Sequence, residues 1–236
     1  MKIVRSGRTK ETCDRLEHNM PKGLKELPIV LNYGNSKYED DNDCILINTH
    51  EAINNCVDKK KMFEHIKDYS VGYFDLDSEE EIIRAFNTLA MEKELVLRKG
   101  SIIKCVTDIE DFEELFQKYD YATLKEEKKF EYRILMFYGK VFKIMLKHKL
   151  NDKFVNKQIN CKFINVDIDD FKDIHGSEVF NSLKKAVSEL GINLCGVDLI
   201  VNSDDECKIL EVNSGAGMSG KSVRLFYEKL SERFER

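Results

Sequence analysis

Residues 191–220 read G-I-N-L-C-G-V-D-L-I-V-N-S-D-D-E-C-K-I-L-E-V-N-S-G-A-G-M-S-G. Two apolar runs, Leu194–Val201 and Cys207–Val212, flank a polar turn at Ser203–Glu206, the pattern of a β-hairpin. A turn centred between Asp204 and Asp205 sets Asp198 opposite Glu211, and alternation sends Asn213 out on the same face as Glu211. Like charges so placed, roughly 5 Å apart at Cβ, destabilise a hairpin. The strands are otherwise apolar, so the carboxylates face a partly dry space where charge needs a partner. A hard divalent cation, bound by carboxylate and amide oxygens, supplies one. A solvated hairpin face carrying two unrelated acids is the competing reading.

G-V-D-L-I together with I-L-E-V-N-S-G-A-G-M resembles the metal-binding end of the ATP-grasp superfamily. The resemblance implies that Asp198, Glu211 and Asn213 hold two Mg²⁺ ions, with Mn²⁺ as a substitute, against the phosphates of ATP.

The chain has 236 residues, enough for one large domain or two or three small lobes. Its 38 basic and 43 acidic residues give a net charge of −5, no electrostatic footprint for nucleic acid. No basic amphipathic stretch, apolar run of about 18 residues or signal-peptide core is visible, so no membrane partner is expected. The expected compartment is the cytoplasm, or the host cytoplasm for a phage or viral protein. Seven scattered cysteines without a C-x-x-C read as reduced thiols, and five histidines show no zinc-ligand spacing.

Residues 1–56 read as a small N-terminal α/β lobe with strands at Met1–Val4, Pro28–Leu31 and Cys44–Asn48 and an acidic loop at Tyr38–Asp43. Asn32–Asn35 reads as a turn. It also resembles the aromatic-Gly-Asn element of bacteriophage carboxylate–amine ligases, which faces the active-site cleft.

Residues 57–120 read as a small α+β lobe. Asp58 is a helix N-cap, with Met62, Phe63 and Ile66 on one face; the lysines that follow oppose the macrodipole unless an anion is near. Ser78 and Glu81 form a capping box for a helix with Ile82, Ile83, Phe86, Leu89 and Ala90 inward. Asp108 caps another, with Ile109, Phe112, Leu115, Phe116 and Tyr119 inward. The family resemblance places Lys59 on the nucleotide phosphates and matches Arg98 and Lys99 to the residue that reaches the α- and β-phosphates. Here the chain departs from the pattern: only Gly100-Ser101 stands where the family has a long glycine-rich lid. A lid excludes water from the reacting phosphate, so its loss bears on turnover more than on binding.

Residues 121–236 read as the C-terminal lobe carrying the metal site. K-K-F-E-Y-R-I-L-M-F-Y-G-K-V-F-K-I-M-L-K alternates and turns at Gly139. Its E-Y-R-I-L-M-F-Y-G-K-V closely resembles the phage-type ligases. That resemblance implies an adenine hinge at Leu124 and Lys125, a ribose contact at Glu131 and a carboxylate or acyl-phosphate contact at Arg133, whose guanidinium suits bidentate oxyanion binding. Read without it, Glu131 and Arg133 are an i, i+2 surface ion pair. Lys143 and Lys147 point either to the γ-phosphate or to water. Residues 150–177 carry no readable chemistry, and Glu178–Leu190 and Ser222–Arg233 read as helices. Between them Ser214, Gly215 and Gly217 match the family's substrate loop, with Ala216 where proline is usual.

The chain is thus expected to have the ATP-grasp fold, of the α/β class with α+β lobes, with nucleotide held between two α+β subdomains behind a reduced N-terminal lobe. The implied activity is an ATP-dependent, ADP-forming carboxylate–amine ligase acting through an acyl phosphate. Its partners are a carboxylate and an amine, either of which can belong to a peptide or protein; a homo-oligomer is left open. The alternative is a catalytically weak or inactive nucleotide-binding regulator or assembly factor on the same scaffold.

Overall fold

A computed structural model describes residues 1–5, 9–38, 44–100, 102–149 and 161–234. Strands β1 (Lys2–Arg5), β2 (Ile29–Tyr33) and β3 (Ile45–Ile47) form a parallel sheet. Helices α1 (Lys10–Asn19) and α2 (Lys22–Lys25) connect the first two strands. Each strand starts a residue later than its sequence pattern indicates. Pro28 has no N–H for a ladder and instead accepts from Ile45 N at 2.7 Å, closing the sheet just outside β2. Residues 39–43 of the acidic loop lie outside the described residues.

Helices α3 (His50–Val57) and α4 (Lys59–Ile66) follow, capped by Thr49 and Asp58. The Asp58 carboxylate accepts from the N–H groups of Lys60 and Lys61, and Met62, Phe63 and Ile66 are buried. Lys60 reaches Asp75 at 2.7 Å and also Asp77, so acids relieve the lysine run at the helix start.

An antiparallel sheet of β4 (Tyr73–Asp75), β5 (Leu95–Lys99), β6 (Ile102–Val106) and β7 (Tyr121–Leu124) runs in the order β4-β7-β5-β6. Helices α5 (Glu79–Ala90) and α6 (Ile109–Leu115) back it around Phe74, Leu97, Phe112 and Ala122. The apolar stripe on α5 is narrower than expected: Ala85 and Leu89 are buried with Ile82 and Phe86 beside them, whereas Ile83 is 53% exposed and Ala90 is also exposed. Ile83 sits a ~100° step from Ile82 and so falls off a stripe that only four short strands can cover. Ile109 is likewise exposed, at the first turn of α6.

The third sheet is antiparallel, in the order β10-β9-β8-β11-β12. Its strands are β8 (Lys128–Phe137), β9 (Lys140–Lys149), β10 (Cys161–Val166), β11 (Leu194–Asn202) and β12 (Cys207–Asn213). Tyr138 and Gly139, with φ of 46° and 69°, make the two-residue β8–β9 turn, the pattern that matches the twist of the strands. One face packs on α3, α4, α7 (Ile168–His175) and α8 (Glu178–Glu189). Part of the other packs on the parallel sheet and α9 (Lys221–Phe234) through Leu135, Phe137, Met145 and Phe226. The remainder of that face carries the charged residues. Among the described residues no helix is long and apolar enough to cross a membrane.

One buried amide joins the first unit to the last. Asn48, with φ of 67°, accepts from Asn193 N and Leu194 N at 2.9 and 2.8 Å and donates to Leu194 O at 2.8 Å. Asn48→Ala strands two N–H donors and one carbonyl and forces a left-handed backbone on alanine. We expect it to cost about 3 kcal/mol in a urea melt, with Asn48→Asp intermediate. A cost below about 1 kcal/mol would mean that water replaces the amide.

Candidate functional site

Asp198 and Glu211 are cross-strand partners on β11 and β12, and Gly196 faces Asn213. Beyond Asp198 the register slips, so that Leu199 faces Ile209 and Leu210 is bulged out. The simple hairpin register therefore applies only at the acidic end. The bulge lets Ile209 and Val212 both enter the core while Glu211 and Asn213 share the opposite face, as bulges beside sites often do. β8 lies on the other side of β11 and sets Arg133 opposite Asp198. A single row across the sheet is thus Met145, Arg133, Asp198, Glu211.

The expectation of two carboxylates repelling across the hairpin is corrected by these neighbours. Arg133 donates through Nε and Nη2 to both Asp198 oxygens, the second at 2.8 Å, and Asn213 Nδ2 lies 3.4 Å from Asp198 Oδ2. Lys59 Nζ reaches Glu211 Oε1 at 2.5 Å. Each acid has its own cation because β8 and the start of α4 arrive from parts of the chain that the hairpin alone does not reveal. Burial still pushes the Asp198 carboxyl above its usual range; Arg133 pulls it back, while Glu211 and Glu131 add to the rise.

The neighbouring row holds Glu131 between Lys147, at 2.6 Å, and Lys128, at 3.2 Å. Burial raises the Glu131 carboxyl, but the two ammonium charges outweigh it and hold the pKa below its ordinary value. An acid shifted downward contributes stability above its unfolded pKa of 4.5 and loses that contribution as pH falls through the folded value. Glu131→Gln should therefore lower stability at pH 7 by about 1–3 kcal/mol, since it leaves Lys147 without its counter-charge. The gap to wild type should close as pH drops below 4.5. A gap that stays constant down to pH 3 would assign the loss to packing.

Lys143 donates to Ser222 Oγ at 2.7 Å, and burial together with Lys221 lowers its pKa. On β5, alternation puts Arg98 on the face shared with Tyr121 and Lys99 on the opposite, helix-backed face, where it is exposed. Tyr121 packs into the core of the five-stranded sheet, so Arg98 is on the side toward the acids and Lys99 is not. Leu124 N and Lys125 N bond to Gly72 O and Glu94 O at 2.7 and 2.8 Å, and the Lys125 side chain pairs with Glu94. The two N–H groups expected at an adenine hinge are thus engaged within the protein.

Ser214, Gly215 and Gly217 form a turn against the N-Y-G-N segment: a Cβ on Gly34 would lie 3.7 Å from Ser214 Oγ and from Gly215 N. Thr9 fills the gap, donating to Tyr33 O at 3.1 Å. A Cβ on Gly215 would stand 2.8 Å from Thr9 Cγ2, so only glycine permits this approach. The two loops, distant in sequence, meet beside Arg133, whose Nη1 lies 3.7 Å from where a Gly217 Cβ would be. Ser101 lies outside the described residues. The pairing of Lys99 with Ile102 leaves room only for a two-residue connection there.

Sequence reasoning missed Lys128, three residues before Glu131, and Ser222, which nothing in a helix start distinguishes. A cavity of about 410 Å³ lies between the β8–β9 turn and the end of α9, away from the acids. The site is therefore defined by converging charge and not by volume.

The donor set suits Mg²⁺: two carboxylates and an amide oxygen are hard ligands on one face. Among the described residues no three His, Cys, Asp or Glu side chains converge into a ready-made metal cluster, so further ligands would come from water or phosphate. Among the described residues, Lys59, Lys128, Arg133 and Lys147 pair with the carboxylates Asp198, Glu211 and Glu131, and Lys143 bonds only the neutral Ser222; such a set of cations suits a polyphosphate.

No protein-family model and no curated protein matches the chain. Solved structures do. D-alanine–D-alanine ligase from Bacillus anthracis, complexed with ATP, is similar at 16% identity and a TM-score of 0.64, over 98% of this chain and 92% of that one. The ATP-grasp ligase PsnB with its minimal precursor is similar at 14% identity and a TM-score of 0.60, over 80% and 64%. Macrocyclase MdnC bound with precursor peptide MdnA, from Microcystis aeruginosa MRC, gives 13% identity and a TM-score of 0.59, over 88% and 79%. The chain spans 54% of PsnB as solved with minimal precursor, Mg and ADP. Likeness at these identities is a likeness of fold: the chain has the ATP-grasp fold.

Proposed function

We propose that the chain is an ATP-dependent ligase that joins a carboxylate to an amine and releases ADP. The observation that carries this reading is the row Arg133, Asp198, Glu211, flanked by Lys59 and Asn213: paired cations and hard oxygens on one face of an ATP-grasp sheet. Mg·ATP would sit between the four-stranded and five-stranded sheets, where Asp198, Glu211 and Asn213 would hold the metal and Arg98 would face the phosphates from the opposite wall. Bound there, Mg²⁺ neutralises phosphate charge and holds the transferring group in line.

In the free protein Lys59 and Arg133 neutralise the acids; on nucleotide binding the lysine turns to phosphate and the guanidinium to the substrate carboxylate. A carboxylate oxygen attacks the γ-phosphorus and ADP leaves. The amine nitrogen then attacks the acyl carbon, phosphate leaves, and the amine gives up its proton to solvent or phosphate. The side chains supply position and charge, which is most of what phosphoryl transfer requires. A peptide or protein is the substrate class we favour, since PsnB and MdnC are solved with precursor peptides.

The two-residue β5–β6 connection favours a second reading, a nucleotide-binding regulator, because nothing that short covers a phosphate. ADP release from Mg·ATP, measured with pooled peptides as acid and amine donors, separates the two. The ligase reading expects ADP release that depends on the peptide pool; Mg·ATP binding with no ADP release under any pool would leave only the regulator.

A further inference from the structure

Arg133 lies in a lane that glycines keep open. A Cβ on Gly196 would stand 3.3 Å from Arg133 Cδ and from Ala216 O, and one on Gly217 would stand 3.7 Å from Arg133 Nη1. Two of the three guanidinium nitrogens, Nε and Nη2, donate to the Asp198 oxygens. Nη1 makes no hydrogen bond to the described residues and adjoins the turn at Gly217. An anion beside that turn is therefore within reach of Arg133 without movement of β8. The pair is mostly buried, with 21% and 12% of the two side chains exposed, so a newcomer to either partner meets the other rather than bulk water.

A planar fork makes its two-point contact with one carboxylate at a time. While it holds Asp198, a divalent cation on the same oxygens would lie beside a positive charge, and like charges that close repel. Glu211 offers no way round, since Lys59 Nζ reaches its Oε1 at 2.5 Å, and Asn213 brings only a neutral amide. A second carboxylate beside Gly217 removes the conflict by giving the arginine another partner.

We propose that Arg133 and a divalent cation compete for Asp198, and that an incoming carboxylate bound beside Gly217 resolves the competition in favour of the cation. This rests on the ligase reading and adds regulation of the same site. Two arrangements follow: arginine on Asp198 with the metal site weakened, and arginine on the substrate with the metal site restored. Carboxylate and Mg·ATP both favour the second, so by linkage each tightens the other by the same factor. The coupling compensates in part for the missing lid. With only a two-residue β5–β6 connection at the phosphates, a metal site that strengthens when the acid arrives holds ATP back until a carboxylate is there to accept the phosphoryl group.

Mn²⁺ binding without nucleotide, counted by electron paramagnetic resonance, tests the competition. Arg133→Met should tighten it about tenfold, and Arg133→Gln serves in its place should the methionine variant not fold. Adding Asp198→Asn should remove that gain, the non-additivity of residues that share a partner. Lys129→Met takes the same charge from β8 but releases Asp205 in place of Asp198, and should change Mn²⁺ affinity little. An affinity equal to wild type without the arginine, or a gain that survives Asp198→Asn, would overturn the proposal. Coupling is read from Mg·ATP titrations in which potassium acetate replaces potassium chloride at constant ionic strength. Acetate should tighten Mg·ATP several-fold in the wild type and leave Arg133→Met unchanged; a wild type blind to acetate would overturn the carboxylate's part. The ligase reading fails separately, through Mg·ATP that binds without ADP release under any peptide pool, and the Mn²⁺ cycle decides the competition in either case.

Discussion

Arg133→Lys should slow ligation by about 10²- to 10³-fold while nucleotide affinity changes little. In the free protein the guanidinium spans both oxygens of Asp198, a planar two-point contact that an ammonium cannot reproduce. Turned to the substrate, the same geometry fits an acyl phosphate and its developing oxyanion. An interaction that strengthens toward the transition state shows in kcat rather than in ground-state affinity. Because the substitution keeps the charge, a loss of rate reports geometry. A wild-type rate would make Arg133 only the structural counter-charge of Asp198.

Asp198→Asn should weaken Mg²⁺-dependent ATP binding by at least about 10²-fold. Removing outer-shell partners of a metal already costs ~10–100-fold, and Asp198 is placed here as a direct ligand. Its effect on the metal-free protein is set by Arg133. The amide isostere leaves a half-buried guanidinium without its anion, so we expect a loss of about 1–3 kcal/mol in EDTA. Burial holds the Asp198 carboxyl above its usual range, which keeps that loss below the cost of breaking an ideal buried pair. Unchanged Mg·ATP affinity with lowered stability would reduce the acid to a structural role.

Much of this arrangement can be read from local pattern. The β11–β12 hairpin and the β8–β9 ribbon alternate along their length, and Asp58, Ser78 and Asp108 mark helix starts with side chains that do accept the first N–H groups. What cannot be read is non-local. The sequence places Asp198 opposite Glu211, but only the insertion of β8 beside β11 brings Arg133 against Asp198. The bulge at Leu210 leaves no local mark, because an apolar residue suits either strand register. Asn48 resembles any strand-ending asparagine until residue 194 folds back on it. β10 is illegible for a physical reason: four of its six residues are exposed, so it has no alternating apolar signal. α7 spaces Ile168, Phe171 and Ile174 at helical intervals behind Asp167, but over eight residues with only Phe171 buried that signal is short.

Isothermal titration of ATP into the protein, with Mg²⁺ and then with EDTA, bears most directly on the claim that the Asp198–Glu211–Asn213 face holds a metal–nucleotide complex. The account predicts saturable binding with Mg²⁺ that weakens at least tenfold without it. It also predicts a melting temperature that climbs with Mg·ATP; at 100 times Kd the added stability is about 2.7 kcal/mol. No heat and no thermal shift at millimolar Mg·ATP would contradict it, and the acids would then be ion-paired structure and nothing more.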